Sequence, residues 1–201
     1  MIIGTDESGK GDYFGYIVVA GVASDSSSIK SIKVKDSKKM VDSAVHNVAD
    51  EIRKKLPYSI VKISPEKYNT LYVKMGNMNH ILAWAHAKVI ENLLEECKAE
   101  KVVVDKFASK AVLDKYLMKK GKTVKLEMRV RGEEEPSVAA ASILARSVYL
   151  GTLRSLGREV GMVLPKGATH VIPAARQIVK MHGKDVLPRV AKMNFKTTKN
   201  I

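Results

Sequence analysis

The run Lys101-Val102-Val103-Val104-Asp105 constrains the fold of this chain more than any other stretch. Three consecutive β-branched residues, with no polar alternation, read as a strand buried on both faces. Such strands belong to the interior of an α/β sheet. The flanking pattern agrees. Met1–Ser8 starts apolar and ends in carboxylates, and Tyr13–Ala23 is rich in β-branched and aromatic residues. With the turn residues Gly9–Asp12 between them, the two predict a β-hairpin.

Ser24–Asp42 is polar, with consecutive serines at Ser26–Ser28, and reads as loop. Ser43–Leu56 has helical spacing at Ala44, Val48, Ile52 and Leu56, and Pro57 stops it. Tyr58–Ile63 alternates as a strand does. Ser64-Pro65-Glu66 opens a helix with a hydroxyl cap, a proline at the first position and an early acid. The longest helix is expected over Asn79–Cys97, with Ile81, Ala85, Val89 and Leu93 on one stripe. A helix over Ser109–Lys120, a stop at Gly121 and a strand over Thr123–Val130 follow. Pro136 then opens the Ala-rich helix SVAAASILARSVYLGTLRSL, and two or three short helices lie beyond Gly157. The whole predicts an α/β fold: a mixed central sheet flanked by helices, with a helical C-terminal region. Neither repeat nor linker divides the 201 residues, so one domain is expected over 1–201, with 157–201 as its basic extension.

Charge points to the partner. The formal net charge is +14, and Ala139–Ile201 holds eleven Lys and Arg against two acids. That surplus favours a polyanion, nucleic acid before anionic membrane, over a face that is merely solvated. Aromatic residues make up only 5%, which argues against a base-stacking single-strand binder. No apolar run approaches the roughly 18 residues of a membrane span, and the first residues are unlike a signal peptide. The single cysteine, Cys97, excludes a disulfide framework. A cytoplasmic protein is expected, with no membrane and no protein partner implied.

The chemistry is carried by acids in costly places. Asp6 and Glu7 end one strand-like run, Asp105 ends the apolar one, and Glu133, Glu134 and Glu135 precede a helix. Unpaired carboxylates at strand ends are unfavourable unless cations or donors compensate. A cluster of them suits hard divalent ions, Mg²⁺ or Mn²⁺, and two such ions about 3.5–4 Å apart serve in-line attack of water on a phosphodiester. Each acid also has a bland role: the glutamates as favourable charge at a helix N-terminus, Asp105 as the cap of a turn. No cap position explains Asp6 beside Glu7. Gly4–Lys10 has the spacing of a phosphate-binding P-loop, but Gly11 stands where a hydroxyl is needed, two acids sit inside, and a strand pattern follows. The five histidines form no metal-binding pair; His80 and His86 fall on different helix faces and read as satisfied or solvated.

The segment GTDESGKGDYFGYIVVAGV (Gly4–Val22) resembles the opening motif of the type 2 ribonucleases H, and specifically of ribonuclease HIII. The likeness continues through DSKKM, SPEKYNTLY, NMNHILAWAHAKVIENLL, VVVDKFA, SVAAASILAR, LPKGA and AKMNFKTTK, in the expected order over nearly the whole chain. The resemblance implies an RNase H-like fold and an endonuclease that cleaves the RNA strand of RNA–DNA hybrids with two divalent ions, leaving 5′-phosphate and 3′-hydroxyl ends. It carries the acid roles to Asp6, Glu7 and Asp105. Aligning on the Ala-rich helix sets Gly132 at the fourth acid's place, so one deletion makes Glu133 the fourth ligand, with Glu134 as the alternative. Gly9, Lys10 and Gly11 match a loop lying against ribose hydroxyls, as small residues permit. Lys38 matches a phosphate contact, and Ser142 either lines the site or only packs. Typical relatives carry an extra N-terminal substrate-binding domain, which this sequence does not contain; Tyr16 and Asn194 also depart from the usual Pro and His. Two alternatives stand beside this reading. Incision at single ribonucleotides in duplex DNA often uses a C-terminal stacking tyrosine, and none follows Tyr149. A catalytically silent nucleic-acid binder would keep the fold without turnover.

Overall fold

β1 (Ile2–Ser8) and β2 (Ile17–Ser24) pair antiparallel, and every residue of β2 is buried. Alternate residues of that strand therefore face two different cores. Val18, Ala20 and Val22 face one, while Ile17, Val19 and Ala23 face the other. This molecule is described here by a computed structural model for residues 1–32 and 40–201. β3 (Tyr58–Ile63), β4 (Lys101–Asp105) and β5 (Lys125–Arg129) complete a sheet of order β3-β2-β1-β4-β5. β4 runs parallel to both β1 and β5, so the apolar valines lie inside the sheet.

α1 (Ser26–Lys30), α2 (Asp42–Lys55), α3 (Pro65–Met75), α4 (Met78–Glu96), α5 (Lys110–Asp114), α6 (Pro136–Glu159), α7 (Ile172–His182) and α8 (Leu187–Val190) surround the sheet. One core is closed by Val45, Ala49 and Ile52 of α2 with Ala140, Ala141, Ile143 and Leu144 of α6. The other is closed by Ile81, Leu82, Ala85 and Val89 of α4 against Ile3, Val102 and Val104. Small residues let α6 lie very close to β1. A Cβ on Gly4 would stand 2.2 Å from the backbone nitrogen of Val138. Ser24, at the end of β2, and Ser137 of α6 hydrogen-bond through their buried hydroxyls at 2.9 Å.

Two expectations need correcting. The serine-rich stretch begins as helix: Asp25 caps α1, accepting from the amides of Ser27 and Ser28 while Ser28 Oγ accepts from the Asp25 amide. The helix expected over Ser109–Lys120 ends at Asp114. Beyond it, Glu91 of α4 accepts from the amides of Lys120 and Gly121, each at 2.9 Å. Those bonds hold the segment in turns.

The C-terminal region is laced to the loop after β1. Tyr13 N–H donates to Gly167 O, Gly15 N–H to Val190 O and Lys192 N–H to Tyr13 O. Lys192 is fully buried, and its Nζ donates to the carbonyls of Gly15 at 2.7 Å and Phe14 at 3.4 Å. Burial pushes this ammonium down to about 7, and the charge of Asp12 opposes the shift. Asn69 of α3 adds a second tie, donating to Pro188 O and Ala191 O and accepting from the Met193 amide.

Candidate active site

Asp6 and Glu7 sit at the carboxyl end of β1, where side chains alternate between the sheet's faces. Asp6 falls on the α6 side and is hydrogen-bonded by Ser142; Glu7 falls on the α4 side, 3.2 Å from His86 Nε2. The parallel neighbour β4 ends at Asp105, one step past its last pair with β1, Thr5 with Val104. Two chain-distant strands thus end in acids side by side, at the end of a parallel pair where α/β folds place their ligands. A cleft of about 240 Å³ is lined by Asp6, Glu7, Asp105, Ser142, Arg146 and the Ser8–Gly11 loop.

Electrostatics separate the two acids of β1. Burial, then the charge of Glu7, and to a smaller degree that of Asp105, push the Asp6 carboxyl up to about 7 against the Ser142 hydrogen bond. Burial also acts upward on Glu7, but hydrogen bonds and charge from His86 and Lys10 outweigh it and hold that carboxyl below the ordinary range. The sign for stability follows. Between about pH 4 and 7 the folded chain keeps an Asp6 proton that the unfolded chain has lost, so this group makes the fold less stable as pH rises through that window. In chelator, the melting temperature of wild type is expected to fall relative to Asp6→Asn from pH 5 to pH 8, and parallel pH profiles would contradict the assignment.

Each expected site residue among the described ones has a definite place. Gly9 has φ +88°, and a Cβ there would meet Tyr16 O at 2.1 Å, so only glycine suits the turn. Lys10 forms an ion pair with Glu7. Gly11 has nothing within 4 Å of its would-be Cβ, leaving its backbone open to a ligand's approach. Ser142 lines the cleft. Lys38 lies outside the described residues. Gly132, rather than Glu133, lies against Asp105: its N–H donates to Asp105 Oδ1 at 2.9 Å, after Arg131 turns the chain through φ +58°. Glu133 is half-buried on the following 3₁₀ turn (Gly132–Glu134) and is not one of the residues lining the cleft.

Three further residues were not singled out from sequence. Arg146 and Lys166 both pair with Asp42, at 2.9 and 3.1 Å, beside a second hollow that shares Ser8 and Arg146 with the first. Both lie in the basic C-terminal third, which was the available signal. The third is His86, which reads from sequence as a satisfied or solvated histidine.

The donor set suits a hard divalent cation by type, since the acids supply only carboxylate oxygens. Among the described residues, no three His, Cys, Asp or Glu side chains close on a single point as an ion's full ligand set would. The acids share a cleft, and the raised Asp6 marks where added positive charge would be most stabilising.

Comparison with known proteins follows the same lines. Residues 3–198 match the family Ribonuclease HII. Ribonuclease HIII of Protochlamydia amoebophila (strain UWE25) is 41% identical over 199 residues, covering 97% of this chain and 66% of that protein. Ribonuclease HIII of Chlamydia abortus (strain DSM 27085 / S26/3) is 42% identical over 202 residues, covering 97% and 67%. The crystal structure of Bst-RNase HIII in complex with Mn²⁺ has a TM-score of 0.91 at 32% identity, covering 98% of this chain and 68% of that one. Aquifex aeolicus RNase H3 gives 0.81 at 30% identity, covering 97% and 72%. The chain thus spans about two thirds of the length of the curated relatives it matches.

Proposed function

The chain belongs to the ribonuclease HII family and has its RNase H-like fold, and on that premise we propose that it is an endonuclease cleaving the RNA strand of RNA–DNA hybrids. Two divalent ions, Mg²⁺ or Mn²⁺, would be held by Asp6, Glu7 and Asp105, with Glu133, the first acid after Gly132, completing the set. The observation that carries this reading is the meeting of Asp6, Glu7 and Asp105 in one cleft, with Asp6 under the repulsion of the other two. Such ions would supply a nucleophilic water and charge stabilisation for the phosphodiester, and the ends expected are 5′-phosphate and 3′-hydroxyl.

The chain's own groups do the rest. Ser142 and the Glu7 amide hold Asp6, the latter donating to Oδ1 at 2.7 Å. The Gly132 amide holds Asp105. The open backbone at Gly11 lies where a ribose 2′-hydroxyl, the group that separates RNA from DNA, can be read, with Gly9 and Lys10 shaping the turn. Lys38 is assigned to a phosphate, and the basic C-terminal third to the hybrid's backbone. No described helix is long and apolar enough to cross a membrane.

Incision at a lone ribonucleotide is the less favoured reading. It calls for an exposed stacking tyrosine, and Tyr149, the last in the chain, is buried beside Gly9 and Gly15. The test is cleavage of a labelled RNA–DNA hybrid, with and without Mg²⁺ or Mn²⁺, beside a duplex with one embedded ribonucleotide. Metal-dependent internal cuts in the hybrid, ending in 5′-phosphates, are expected. Failure to cut the hybrid with either ion would refute the proposal, and preference for the lone ribonucleotide would exchange it for the alternative.

A further inference from the structure

His86 is fully buried on α4, yet three of its contacts lead to the acid cleft. Its Nδ1 lies 2.8 Å from Thr5 Oγ1, the residue before Asp6. Its Nε2 lies 3.2 Å from Glu7 Oε2. Its ring stacks on Phe107, centroids 4.7 Å apart and planes 10° apart, two residues beyond Asp105. One imidazole therefore touches the chain beside each of the three acids that share the cleft.

The hydrogen-bond inventory fixes the ring's role. A carboxylate only accepts, so Nε2 carries the proton donated to Glu7. In the neutral ring Nδ1 is then an acceptor, and the Thr5 hydroxyl supplies its donor. Both nitrogens are engaged, which leaves the ring no lone pair for an ion. Glu7 is held from both sides, Oε2 by His86 and Oε1 by Lys10. The Lys10 side chain is 44% exposed and can give way to another cation, whereas the enclosed ring cannot.

We propose that His86 is a positioning residue that presets the acids for divalent cations: it fixes Glu7 so that Oε1 faces the cleft, and through Phe107 it ties the Asp105 loop to β1. The inference rests on the proposed reading of Glu7 and Asp105 as ion ligands. Partners of this kind, behind a ligand, typically set metal affinity by about 10–100-fold.

Calorimetric titration of Mn²⁺ into the full chain without nucleic acid tests it. His86→Phe keeps a ring against Phe107 but loses both hydrogen bonds, and is expected to weaken Mn²⁺ binding at least about 10-fold while circular dichroism stays native. His86→Gln keeps an N–H for Glu7 and is expected to recover most of the loss. In cleavage assays the half-activating Mn²⁺ concentration should shift in step. A folded His86→Phe protein that binds Mn²⁺ within twofold of wild type would overturn the inference, as would no recovery in His86→Gln. Should His86→Phe not fold, Thr5→Val decides: it removes only the donor to Nδ1, a loss of a few fold is expected, and unchanged affinity would overturn the proposal. A wild-type chain that takes up no Mn²⁺ would instead overturn the metal reading of the acids, and this inference with it.

Discussion

Asp6→Asn is expected to lower hybrid cleavage by at least about 10³-fold while leaving hybrid affinity within a few fold of wild type. The substitution keeps the shape, the acceptor for the Glu7 amide and a partner for Ser142, and removes only the charge. That charge shares the cleft with those of Glu7 and Asp105, both of which act on it, and would be one of those that hold a divalent ion there. On the proposed reading, affinity comes chiefly from the eleven bases after Ala139, so its salt dependence should match that of wild type. Single-turnover cleavage of a labelled hybrid, with binding measured in chelator at two salt concentrations, separates the effects. An Asp6→Asn protein with a tenth of wild-type activity would remove the acid cluster from the chemistry.

Gly4→Ala is expected to be strongly disruptive, costing about 3–5 kcal/mol or preventing folding. The added carbon would stand 2.2 Å from Val138 N and 2.3 Å from the Ser137 carbonyl carbon. These are backbone atoms, with no rotamer to escape into, so α6 would have to retreat from β1. Ser142 would then be carried away from Asp6, joining stability to activity. Gly11→Ala is the contrast: open space surrounds that site, and its unfolding free energy should stay within about 0.5 kcal/mol of wild type. Urea unfolding of the two variants measures the difference. A Gly4→Ala protein within 1 kcal/mol of wild type would show that α6 can yield at this contact.

What the sequence made legible was whatever local pattern determines. The apolar run Val102–Val104, the cap at Ser64-Pro65 and the proline before the Ala-rich helix each announce their element, and β4, α3 and α6 stand there. The adjacent acids at Asp6 and Glu7 stood out because no local role accounts for both. The rest depended on partners far away in the chain. Beyond the early end of α5, Glu91, some thirty residues upstream, takes the amides of Lys120 and Gly121 and holds that segment in turns. His86 falls on the buried face of α4 like any core residue, and only the position of Glu7 gives it a task. Asp42 and Arg146 meet across 104 residues, beyond the reach of any spacing rule. The fourth acid position was ambiguous by one residue in alignment, and the Arg131 turn sets Gly132 against Asp105 there. The short helix α1 was readable, since Asp25 and Ser28 form a capping box; three serines in a row obscured it.

The lacing of the loop after β1 by Lys192 bears on how the enzyme is born. The acid-bearing strands are complete once residue 105 has left the ribosome, yet the carbonyls of Phe14 and Gly15 wait for an ammonium made almost ninety residues later. A nascent chain therefore carries its carboxylates long before it has made the lysine that straps down the loop beside them.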